Sequence, residues 1–175
     1  MTQNEIKHKD RQLNLLMSLD RIRDTVDLGR TPHSMFSAIA SLLKRFFAAD
    51  ASAIVLIHDE TNEVEALSAI SVPDDMALTL CKEAMHYHHP FPLKSSVWAH
   101  SLAIRIAVDS TGIIVGGFFV ARDGIPFSEE DSELLTVAES QIDSAVMQAR
   151  VMWKLAERNR ELEAIFQIDH IRDSS

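Results

Sequence analysis

One stretch gathers most of the side chains that can do chemistry: CKEAMHYHHPFPLKSSVWAHS, from Cys81 to Ser101. Imidazole and thiolate are good ligands for zinc, copper or iron. In an extended chain His86 and His88 point the same way, and Cys81 lies about one and a half helical turns before His86. A metal site built on His86, His88 and His89 is therefore one reading. Against it, no standard zinc spacing is present and Cys81 is the only cysteine. Histidines flanked by Pro90 on a polar loop are ordinarily solvent-exposed, and a cysteine at an apolar helical position behaves as a small buried hydrophobe. Arg105 interrupts the apolar run LAIRIAV. Facing a pocket, its planar fork suits a carboxylate or phosphate; facing out, it is an ordinary strand residue. Trp98 either floors a pocket or fills the core. The candidate ligand-pocket residues are thus Cys81, Met85, His86, His88, Trp98 and Arg105, with the cofactor, if any, unknown.

Nucleophilic catalysis finds little support. Ser101, His100 and Asp109 can be assembled on paper into a triad, but no Gly-x-Ser-x-Gly elbow accompanies them. Gly112, Gly116 and Gly117 fall in a hairpin and a strand rather than in a phosphate-binding loop. Gly116-Gly117 marks a bulge or a close backbone approach. No catalytic residue is assigned, and the expectation is a protein that is not an enzyme.

The bulk composition narrows the class. The 175 residues are 46% hydrophobic and 25% charged, as in ordinary globular proteins. A formal net charge of −9, from 26 acids against 17 bases, argues against nucleic acid and anionic membrane as partners. The start MTQNEIKHKDRQ has no hydrophobic signal core, and no apolar run reaches membrane-spanning length. A cytoplasmic protein is expected.

The elements that must position these residues follow from periodicity. From about Asn4 to Asp27 a charged helix carries one apolar stripe, Leu15, Leu19, Ile22 and Val26, a narrow seam of the kind that meets another helix. Gly29 ends it, and Thr31-Pro32 opens a second helix with the face Met35, Phe36, Ile39, Leu42, Leu43 and Phe46. Ala53 to Ile57 (AIVLI) reads as a central strand, with VEALSAI from Val64 as its antiparallel partner. A short helix is expected through Met76, Leu80, Cys81, Ala84 and Met85. HYHHPFPLKSS is irregular because of Pro90 and Pro92. Two strands, from Ser101 and Ile113, form a hairpin across DSTG. In PFSEEDSELL, Ser128 and Asp131 form a capping pair, and no Gly or Pro occurs from Ser128 to Ser175. The last helix can therefore run roughly 65–70 Å. Beyond about Arg150 its seam is Met152, Leu155, Asn159, Leu162 and Phe166, spaced as a coiled-coil a/d stripe with a polar register-setting position.

The end of the chain repeats its beginning. LEAIFQIDHIRDSS from Leu162 aligns with LNLLMSLDRIRDT from Leu13: Leu13 with Leu162, Asp20 with Asp169, Ile22 with Ile171, Arg23 with Arg172, Asp24 with Asp173. Chance supplies roughly one identity in such a window. The repeat leads to the expectation that the natural chain continues into a further module.

FFAADASAIVLIHDETNEVEALSAIS, from Phe46, and GIIVGGFFVARDGIPFSEEDSELLTVAESQIDSAV, from Gly112, resemble the opening and closing stretches of a GAF domain, over roughly residues 31–150. The resemblance implies an α+β fold, an antiparallel sheet flanked by helices, with a pocket beneath the variable segment Ser71–His100. It divides the chain into a lead-in helix at 1–30, the GAF domain at 31–150 and a signalling helix at 151–175. It implies a non-catalytic sensory or regulatory module of a bacterial-type signal-transduction protein. Such a module binds an unknown small molecule and relays through parallel helices of a homodimer, here residues 5–27 and 151–171, to a downstream module of the same chain. The alternatives are a degenerate GAF scaffold that only dimerises and spaces, and a haem- or metal-binding sensor. Departures from the family's specialised branches are plain. Lys82, not His, follows Cys81, unlike bilin-binding members; the cyclic-nucleotide signature Asn-Lys-Phe-Asp-Glu is absent; and one cysteine cannot run the sulfoxide-reducing redox cycle.

Overall fold

A computed structural model describes residues 2–24, 32–58, 60–108 and 112–173. Its elements are α1 (Gln3–Asp24), α2 (Pro32–Phe46), β1 (Ala51–Ile57), β2 (Val64–Ile70), α3 (Asp74–Ala84), β3 (His100–Val108), β4 (Ile113–Arg122) and α4 (Glu129–Asp173). The four strands form one antiparallel sheet in the order β2-β1-β4-β3. The run AIVLI is central, and all seven residues of β1 are buried, as a strand covered on both faces requires. Val26, Gly29, Thr31 and Asp109 lie outside the described residues.

The sheet separates two cores. On one face α1, α2 and α4 bury large side chains, among them Phe36, Ile39 and Leu43 of α2, Phe118 of β4, and Leu135 and Ile142 of α4. On the other, α3 covers Ala53, Val55, Ala103, Phe119 and Ala121 with Ala77, Leu80, Cys81 and Ala84. The side chains on that face are mostly small, so α3 sits close to the strands. Gly117 of β4 measures how close: a Cβ there would stand 2.6 Å from the Cys81 carbonyl oxygen and 3.1 Å from the Ala84 Cβ. Both alternatives for the glycine pair occur together. The β3–β4 register shifts between Ile106 and Ala107, so Val115 is the extra residue of a bulge beside Gly116.

The stripe Leu15, Leu19 and Ile22 does meet helices, but they are the chain's own. Leu15 and Leu19 are buried in the α2/α4 cluster and Ile22 packs against it. On the opposite side of α1, Ile6, Leu13 and Met17 are exposed.

Candidate functional site

The candidate residues from 81 to 105 all lie on or beside the α3 face, in different environments. Cys81 is fully buried between α3 and the sheet, and that burial pushes its thiol well above the ordinary range. That burial favours the neutral thiol in the folded protein. Met85 follows α3 as its C-cap, half-buried against the same core. His86, His88 and His89 are exposed. No group of three or more His, Cys, Asp or Glu side chains that could hold a metal comes together among the described residues. Trp98 is half-buried, its ring 6.1 Å from Phe119, so it closes the edge of the core. Phe91, an apolar residue of the same segment, is instead exposed and stacks on Tyr87 at 5.2 Å.

Arg105 lies on the α3 face. It pairs in register with Gly117, the residue that α3 approaches, and it sits two residues from Ala103 of the α3-side core. Its guanidinium reaches outward along the edge strand and donates toward His88 Nε2 at 3.5 Å. The two groups together form a basic rim, not a buried pocket wall. Ser101 of the triad drawn on paper is buried, and its hydroxyl accepts the Leu93 N–H at 2.8 Å. Its neighbour His100 points to the other face of the strand by simple alternation.

The irregular segment is tied down at several points that periodicity does not reveal. Glu83, on α3, accepts from the Tyr87 hydroxyl at 2.5 Å and from the Lys94 N–H at 2.8 Å. Burial works against its charge, but these hydrogen bonds outweigh it and hold the carboxyl below its ordinary range. Burial, and then the same carboxylate, push the Tyr87 phenol up to about 12. Phe91 exchanges both backbone hydrogen bonds with Ala103, and the Arg105 N–H donates to the Tyr87 carbonyl. The free edge of β3 is thereby partly covered.

Helix α4 is fixed where it starts and again where it leaves the domain. Ser128 and Asp131 cap each other reciprocally, Asp131 N–H to Ser128 Oγ at 3.1 Å and Ser128 N–H to Asp131 Oδ2 at 2.9 Å. Arg11 of α1 and Arg122 of β4 both reach Asp131, at 3.2 and 3.5 Å, and His8 Nδ1 stands 2.9 Å from Glu130. Arg122 also donates to the carbonyls of Phe47, Ile125 and Pro126. At the other end Arg150 donates to the Ile57 carbonyl at 3.2 Å and to Glu65 at 3.3 Å. Beyond it, Val151, Met152, Leu155, Leu162, Ile165, Phe166, Ile168 and Ile171 are all exposed. No helix among the described residues is long and apolar enough to cross a membrane.

No family model matches the chain, and no curated protein matches it. Solved structures do. The GAF domain of a protein assigned as a sensor histidine kinase from Pseudomonas syringae pv. tomato superposes with a TM-score of 0.63 at 13% identity, covering 89% of this chain and 97% of its own. The fold is that of a GAF domain. The GAF domain of a phosphoenolpyruvate-protein phosphotransferase from Acinetobacter is similar at a TM-score of 0.59 and 15% identity, over 80% of this chain and 97% of that one. Free methionine-R-sulfoxide reductase from Neisseria meningitidis, solved with its substrate, gives 0.57 and 13%, over 79% and 92%. In this GAF fold Leu80, Cys81, Ala84, Leu93 and Phe119 form a buried cluster under residues 71–100, where the resemblance puts a pocket.

Proposed function

We propose that the chain is a non-catalytic regulatory GAF module of a bacterial, cytoplasmic signal-transduction protein. It pairs in parallel with a second copy and passes conformational change along α4. The observation that carries this reading is the division of α4. Its first half is built into the core, and its second half extends past Arg150 with an apolar stripe facing solvent. Such a stripe at a/d spacing is the surface that a two-stranded coiled coil buries. The exposed Ile6, Leu13 and Met17 add a second strip on α1. The filled α3 face supports the dimerising and spacing form of this module over one that holds a ligand beneath residues 71–100.

Sedimentation velocity of the protein and of Leu155→Lys tests the reading. The parent sediments as a dimer at micromolar concentration and the variant as a monomer with unchanged thermal stability. A monomeric parent overturns the proposal.

A second reading, a small-molecule sensor, is favoured by the basic rim of Arg105 and His88. A ligand there is anionic, a carboxylate or phosphate, and sits at the edge of β3 rather than inside the core. Native mass spectrometry of the protein from its host decides this. A discrete extra mass that is lost on denaturation and lost in Arg105→Gln supports a sensor, and a clean dimer supports the spacer.

A further inference from the structure

The internal repeat can be read against burial, residue by residue. With the offset 162 − 13 = 149, Leu13 and Met17 correspond to Leu162 and Phe166, and Leu15, Leu19 and Ile22 to Ala164, Ile168 and Ile171. The same offset places Arg11 on Arg160, a further identity. In α1 these positions do two separate jobs. Leu13 and Met17 are 56% and 49% exposed, whereas Leu15 and Leu19 are 0% and 6% exposed within the α2/α4 cluster. Arg11 shares the buried side: it pairs with Asp131 and Glu130 in the first turn of α4 and lies over the Phe46 ring, 5.3 Å from its centroid. Residues 11, 15, 19 and 22 lie within about one quarter of the helix circumference, and 13 and 17 lie opposite them.

Both sets recur near the end of α4, but there both are exposed: Leu162 58%, Phe166 73%, Ile168 57% and Ile171 68%. A dimer seam accounts for one side only. A two-stranded coil buries a stripe about two residues wide per heptad, which leaves Ile168 and Ile171 uncovered on the far side of the helix. Two large β-branched residues and an arginine are repeated at positions whose counterparts dock α1 onto α2 and α4.

We infer that Arg160, Ala164, Ile168 and Ile171 form a docking face for a second module of the same chain, one that offers a two-helix groove like that between α2 and α4. Ile168 and Ile171 fill the groove as Leu19 and Ile22 do here. Arg160 meets the acidic first turn of that module's closing helix as Arg11 meets Glu130 and Asp131. Ala164 in place of Leu15 calls for a larger residue opposite it. Leu162 and Phe166 remain for the second copy, so one helix serves a contact within the chain and a contact between chains. The inference is independent of whether the α3 face takes a ligand.

The test uses the chain as its gene encodes it, with single cysteines introduced at 162, 166, 168 and 171, and Glu157→Cys as an exposed control. Maleimide labelling rates are measured while dimers are dissociated by dilution. Cys81, buried in the core, stays unlabelled as long as the domain is folded. Ile168→Cys and Ile171→Cys are expected to label at least about ten-fold more slowly than the control at every concentration, as local burial dictates. Leu162→Cys and Phe166→Cys are expected to become reactive as dimers dissociate, and Arg160→Glu to speed labelling at 168 and 171 alone. Labelling of 168 and 171 at the control rate overturns the inference. So does protection that disappears in step with the dimer, since the second copy then covers that face, and so does a reading frame that encodes no further module.

Discussion

The two faces of the sheet are built on different scales. Toward the helix bundle, β4 presents Phe118 and Val120; toward α3 it presents Gly117, Phe119 and Ala121, with Ala53 and Ala103 from the neighbouring strands. The bundle face is thick, made of large interdigitating side chains from three helices. The α3 face is thin, and one helix lies almost on the backbone. The thin layer brings α3 within contact of Gly117, while the thick layer contains the helix that leaves the domain. The difference teaches that the two faces divide the work of packing: one is covered closely by a single helix, the other carries the helix that extends past the sheet.

The comparison can be broken most sharply at Phe118. Phe118→Ala empties the thick face and is expected to cost about 3–5 kcal/mol, read from the shift in denaturant midpoint. A loss below about 1 kcal/mol would mean that the bundle side is loosely packed and the contrast false. Next is Arg122, which joins the loop carbonyls of Phe47, Ile125 and Pro126 to Asp131. Arg122→Ala leaves a mostly buried carboxylate and three carbonyls short of a donor and is expected to cost roughly 3 kcal/mol. Gly117→Val probes the thin face directly. Its Cβ would collide with the Cys81 carbonyl and force α3 away, at about 2 kcal/mol. Full tolerance of valine would show that α3 floats over an open pocket after all.

The smallest expected effect is at Glu83. Its carboxyl titrates below its ordinary value in the folded protein, so its contribution to stability is present above the ordinary carboxyl range and is lost as the pH falls through the folded value. Glu83→Gln is expected to lower the neutral-pH melting temperature slightly and to leave the acid value nearly unchanged, so that this acid limb flattens. Tyr87 has the opposite sense. A phenol raised to about 12 stabilises below its ordinary range, and that stability is lost as the pH rises through the folded value. Tyr87→Phe should lower the neutral-pH melting temperature slightly and flatten the alkaline limb.

What could be read from the sequence was whatever is local and periodic. The uninterrupted run after Ser128, the Ser128–Asp131 cap, the buried strand AIVLI and the apolar stripe of α1 each declare themselves within a few residues. What could not be read was which partner satisfies a given pattern. Leu15 and Leu19 show only that some helix covers them; that it is the chain's own depends on contacts more than a hundred residues away, such as Arg11 to Asp131. The segment after Met85 is irregular in sequence because its order comes from Glu83, Ser101, Ala103 and Arg105, none of which forms a period with it. The histidines drew attention by residue type, while their polar, Pro-flanked setting already pointed to the exposure that His86, His88 and His89 show. Arg150 gave no local signal at all, since one arginine in a charged helix looks like the next.

Helix α4 runs 45 residues from Glu129 to Asp173 without a break. In the relay proposed above, such a helix would act as a lever whose fulcrum is the Arg150 clamp. The arm beyond that point is roughly 35 Å long at 1.5 Å per residue, so a tilt of about five degrees carries its tip roughly 3 Å. On the function proposed above, a displacement of side-chain-repacking size within the domain would arrive at Ile171 large enough to change what the helix touches.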